Sequence, residues 1–167
     1  PQPQPLPVET QTVADGRDNP DQHAVDARSR EIAMRFQQAI AMLHAKQFDY
    51  AVKALHRVLE LSPRLVEAHV NMGYALLGLN DNKTAHDFFQ SAAGLRPEQA
   101  NAYYGMAVAL EGMGDLEGAL GSMRTFIHLT NKDDPYLPRA RAALWEWQEE
   151  LASRHQKETD HAARGDD

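Results

Sequence analysis

The chain has 167 residues, 43% hydrophobic and 25% charged, with a formal net charge of −7 and no cysteine. Length and balance suit one domain of ordinary size. The acidic charge, with no Lys/Arg cluster to offset it, makes free nucleic acid and anionic membrane surfaces poor partners; the lack of cysteine excludes disulfides, thiolate metal sites and cysteine nucleophiles.

Residues 1–18 open with Pro1, Pro3, Pro5 and Pro7 and carry few large apolar residues. They read as an extended, polyproline-like arm. The chain starts at Pro1 rather than Met, so it reads as processed or cut, and the segment before it is open to being a signal or an anchor. Asn19-Pro20 has the form of a helix start, with Asn19 as N-cap and Pro20 at the first helical position. Helical patterns then run to about 157, broken only by short turns.

Within that stretch, residues of one kind recur 34 positions apart. Ala51, Ala85 and Ala119 do so; so do the small residues Ala39, Gly73 and Ala107, and the large residues Leu55, Phe89 and Met123. Met42, Leu76 and Leu110, then Leu61, Leu95 and Leu129, and finally Pro63 and Pro97 complete six sets in one phase. Such a shared phase is the mark of an internal repeat. Small residues let two helices approach, large ones fill the space between units, and Pro63 and Pro97 stop one helix and start the next. Asn80-Asp81 and Gly114-Asp115 each supply a turn followed by an N-cap.

These residues resemble the tetratricopeptide repeat family, whose helix–turn–helix unit is 34 residues long. Three units fit, at about 32–65, 66–99 and 100–133. The second fits best, with Gly73, Ala85, Phe89, Ala92 and Pro97. The third has Tyr103, Ala107, Gly114, Ala119 and Met123 but Asn131 in place of the proline. The first has Ala39, Phe48, Ala51 and Pro63. Arg35, His69 and Tyr103 stand where the family often has Trp, and His69 reads as a packed substitute. The resemblance implies an all-α fold, a right-handed superhelical solenoid of antiparallel helix pairs.

After a turn at 131–135, a last helix is expected over 136–157. Leu137, Ala140, Leu144, Trp147 and Leu151 form one apolar stripe on it, and the remainder is polar. One face for the last repeat and one for water is what a terminal cap needs. Residues 158–167 read as a disordered polar tail.

The resemblance also implies that the first helix of each pair lines a concave groove in which a partner segment lies. The matching positions are Ala33, Phe36, Gln37, Ile40, Leu43 and His44, then Glu67, Val70, Asn71, Tyr74 and Leu77, then Asn101, Tyr104, Gly105, Val108 and Glu111. Phe36, Ile40, Val70, Asn71, Tyr74, Asn101, Tyr104 and Val108 are the candidate contacts. Co-chaperones of the family that grip a terminal carboxylate need Lys, Arg and Asn here; only Asn71 fits. The groove is read as apolar, suited to an amphipathic helix or an apolar extended segment, unless the chain's own cap, arm or a second copy fills it. Trp145 lies off the apolar stripe of the last helix, as a rim contact or an exposed anchor.

No catalytic motif appears, and no two of the eight histidines are three or four residues apart, so neither enzyme chemistry, a metal site nor a cofactor is expected. The expected function is a non-catalytic scaffold that holds another protein or peptide, by family analogy in the assembly of a bacterial envelope or secretion complex. The compartment, cytoplasmic or periplasmic, is left open. A self-associating subunit and a regulatory domain excised from a larger protein are the alternatives.

Overall fold

The computed structural model describes residues 20–165. The expected Pro-rich arm, the Asn19 cap and the last two residues lie outside the described residues. The chain forms α1 (Pro20–His44), α2 (Phe48–Leu61), α3 (Val66–Gly78), α4 (Asn82–Leu95), α5 (Ala100–Gly112), α6 (Leu116–Leu129) and α7 (Leu137–Arg164). Each helix packs on the next, giving the pairs α1/α2, α3/α4 and α5/α6 with α7 against α6. This is the all-α solenoid with a capping helix.

The repeated small residues are where the helices of a pair meet. Ala39, Ala51, Ala85, Ala107 and Ala119 are all fully buried. The large residues of the same phase, Leu55, Phe89 and Met123, are at most 1% exposed and form the core. Phe89 sits in the tightest place. A Cβ added at Gly73 on α3 would stand 2.5 Å from its ring, and one added at Gly105 on α5 would stand 2.2 Å from it. The ring of α4 is thus wedged between two glycines from successive units, and Tyr74 meets its edge at a centroid distance of 5.0 Å.

The turns inside the pairs share one construction. Lys46, Asn80 and Gly114, all at the same repeat position, have φ of 57°, 60° and 82°. The next residue's N–H reaches back to the helix, from Gln47 to the Met42 carbonyl (2.8 Å), Asp81 to Leu76 (2.9 Å) and Asp115 to Leu110 (2.9 Å). This is the Schellman closure, which wants a residue that tolerates the left-handed region. The helix that follows is capped in two pairs out of three. The Asp81 carboxylate accepts from Thr84 N–H (3.2 Å) and Asp115 from Gly118 N–H (2.9 Å), but Gln47 makes no side-chain cap. Gln47→Asp is therefore expected to add about 0.5–1 kcal/mol of stability, seen as a higher urea midpoint with an unchanged denaturant slope.

The two ends differ. The amino-terminal extension of α1 is strapped to α2: Arg28 donates to the Leu61 carbonyl at 2.6 Å, satisfying an acceptor of the α2 C-terminus. At the other end α7 runs to Arg164 rather than stopping near 157, so the expected tail is helical over 158–164. The apolar stripe stops at Leu151, but nothing breaks the helix before Gly165. Same-helix pairs such as Arg154 with Glu150 (3.0 Å) and Gln156 with Asp160 (2.9 Å) support it in water. Periodicity could not see this stretch, because a helix that touches no core needs no apolar stripe.

Candidate functional site

First helices of neighbouring pairs touch, α1 with α3 and α3 with α5, while the second helices of neighbouring pairs pack less closely. The layer therefore bends with the first helices on its inner side, which is where the groove was expected.

Most of the expected groove contacts are buried in the chain itself. Phe36, Val70, Asn71 and Tyr74 are fully buried, Ile40 is 6% and Tyr104 7% exposed; only Asn101 and Val108 are partly open. The physical reason is the bend itself. It presses successive first helices together, so residues at these positions pack against the neighbouring helix instead of facing solvent. Tyr74 shows it directly: its phenol donates to the Asn101 carbonyl at 2.8 Å, tying α3 to α5. Asn71, the single residue that suited a carboxylate grip, is enclosed as well.

Tyr104 belongs to a second cluster that joins α5 to the cap. Its ring meets Phe126 at 5.1 Å and Tyr136 at 5.6 Å, both edge-on, with Ala140 buried beside them and Leu144 and Trp147 packed against the group. Part of the inner face is thus filled by the chain's own cap. Burial pushes the Tyr104 phenol above its ordinary value of 10.0; Arg139 pulls it back and Asp134 adds to the rise. Tyr136 is raised by burial first and then by Tyr104. A phenol raised in the folded state holds its proton there more tightly than in the unfolded chain. Its contribution is intact below about pH 10 and is lost as the pH climbs through the raised value. Thermal midpoints are expected to fall above pH 10, and less steeply in Tyr104→Phe.

One row of the expected groove positions, continued onto α7, opens toward solvent along the array. Leu43, Leu77, Glu111 and Trp145 stand 34 residues apart on α1, α3, α5 and α7. Leu43 is buried and Leu77 half-buried, while Glu111 is exposed and Trp145 is 63% exposed. Trp145 is thus an exposed residue, not a packed part of the cap. Beside it, Ala142 is exposed and Val108 half-buried. Among the described residues no group of three or more metal-ligating side chains is clustered, and no helix is long and apolar enough to cross a membrane. His69 is packed, as expected: its ring lies 6.0 Å from that of Phe88 and its Nε2 donates to the Pro63 carbonyl at 2.8 Å.

Residues 33–64 match the family model of the tetratricopeptide repeat, and the pairs that follow repeat the same turn and spacing. The fold is that of the tetratricopeptide repeat. Solved structures agree. A type III secretion complex from Aeromonas hydrophila aligns with a TM-score of 0.72 at 17% identity, over 78% of this chain and 89% of that one. The type III secretion translocator chaperone SycD of Yersinia enterocolitica aligns at 0.68 and 12%, over 77% and 88%. The second tetratricopeptide domain of human RPAP3, solved with an HSP70 peptide, aligns at 0.65 and 14%, over 72% and 98%. At such identities the likeness is one of fold. No curated protein matches the chain.

In this tetratricopeptide array α7 takes the place of the first helix of a fourth unit. Arg141 then falls where Ala39, Gly73 and Ala107 stand in the others. Arg141 is exposed, and a bulky cation there does not offer the small surface that the other units set against their second helices.

Proposed function

We propose that this chain is a non-catalytic scaffold module that holds an apolar or amphipathic segment of a partner protein along the inner face of its array. The observation that carries this reading is Trp145. It is a large apolar side chain, 63% exposed, at the repeat position that Leu77 and Glu111 hold on α3 and α5. Tryptophan is among the residues most enriched where interfaces hold their binding energy. The docking strip is Leu77, Val108, Glu111, Ala142 and Trp145, with Asn101 and Tyr104 at its margin. Phe36, Ile40, Val70, Asn71 and Tyr74 shape the face from beneath. A helix or short extended segment with two or three apolar residues fits such a strip.

An assembly role in an envelope or secretion complex is supported by the likeness to the Yersinia chaperone, and peptide capture by the likeness to the RPAP3 domain solved with its peptide. Arg141 speaks against growth of the array at its carboxyl end, and so against a subunit that polymerises by stacking there.

A photo-crosslinking side chain placed at 145 or at 111 tests the reading in the native cell extract. Both positions are expected to capture the same partner, while the outer-helix positions Gln90 and Arg124 capture none. Equal capture from the outer positions, or none from 145 and 111, would overturn it.

A further inference from the structure

A second surface lies away from the inner face, at the edge formed by the turn after α1. Tyr50 is 61% and Leu79 39% exposed, and between them opens a depression of about 380 Å³ lined also by Asp49, Val52 and Lys53. It continues into a shallower one of about 170 Å³ bounded by Lys46, Gln47 and Phe48. The rim is basic in an otherwise acidic chain. Neither Lys46 nor Lys53 makes an ion pair among the described residues, and the Lys53 ammonium stands 5.8 Å from the centre of the Tyr50 ring. Asp49 lies in the first turn of α2, where the positive end of the helix already complements it. Lys46 also sits on backbone that favours glycine or asparagine, which the other two pairs supply at that position as Asn80 and Gly114. What a lysine adds there is its charge.

We propose that this edge docks a partner segment that combines one bulky apolar side chain with an adjacent carboxylate. The apolar group enters between Tyr50 and Leu79, and the carboxylate faces Lys46 and Lys53. This reading does not depend on the inner face, and either surface can fail its test without the other.

Two small probes of the same ring and opposite charge decide it: indole-3-propionate and tryptamine, titrated at low salt into the isotope-labelled full chain and followed by amide chemical shifts. The carboxylate is expected to move the signals of Tyr50, Lys53 and Leu79 and to bind about fivefold more tightly than the amine, the ratio one exposed ion pair supports. Lys46→Gly with Lys53→Gln should remove that preference while leaving the melting temperature equal or higher, and Tyr50→Ala should weaken both probes. The proposal is overturned if the two probes bind equally, if neither moves these signals, or if the shifts fall on Val108 and Trp145. It is overturned too if the same signals move with protein concentration alone, which would make the occupant a second copy.

Discussion

Replacing Phe89 with alanine is expected to lower the free energy of unfolding by about 3–5 kcal/mol, the usual cost of removing an enclosed aromatic ring. That is a large part of the roughly 5–15 kcal/mol that holds a domain of this kind together. The ring is fully buried and is held between its own unit, at Gly73 of α3, and the next unit, at Gly105 of α5. In a repeat array stability is close to a sum of unit terms and nearest-neighbour terms. Loss of the ring removes core from its own unit and from the junction with the next. Urea denaturation followed by circular dichroism measures the effect, with Leu55→Ala as the matched control in the first unit. A cost for Phe89→Ala below about 1.5 kcal/mol would mean that the wedge is not the main tie between units.

Gly105→Ala should go the opposite way from helix propensity. A glycine in the middle of a helix usually gains about 1 kcal/mol on conversion to alanine. Gly121, which has open space around it, is expected to behave so. At Gly105 the new methyl would stand 2.2 Å from the Phe89 ring, which cannot retreat because Gly73 backs it on the other side. Overpacking of this sort costs about 1–3 kcal/mol, so the net change at Gly105 is destabilising. A double-mutant cycle provides the sharper measurement. In a Phe89→Ala background the Gly105→Ala change should turn neutral or stabilising, since the obstacle is gone; simple additivity would contradict the geometry.

Both effects were half legible in the sequence. The 34-residue phase places Gly73 opposite Phe89, because small and large residues alternate within the unit. Gly105 is not in the small-residue set, and its role shows only once α5 is laid against α4. The turns divide in the same way. Asn80 and Gly114 are recognisable turn residues, whereas Lys46 is not, yet the Schellman closure puts it in the same left-handed conformation. Tyr50 and Leu79 were missed for a related reason: they are exposed at an edge, and periodicity reports what is buried.

The candidate site changed most between sequence and structure. Matching positions placed the candidate contacts on the first helices but could not tell which side chains there meet solvent. That depends on how closely α1, α3 and α5 approach, and their bend encloses Phe36, Val70, Asn71 and Tyr74. Trp145 moved the other way, from an ambiguous residue off the cap's stripe to the most exposed large apolar side chain of the molecule among the described residues.

The amino-acid sequence by itself determined the number of helix pairs, two of their three turns with the Asp caps that follow, and the apolar stripe of the last helix. These follow from local rules, 34 residues long and repeated. Only the tertiary structure decided which inner-face residues are core and which are surface, how far α7 extends, and where a second basic, apolar edge opens. Those properties arise from distances between helices far apart in the chain, and no local pattern of residues encodes them.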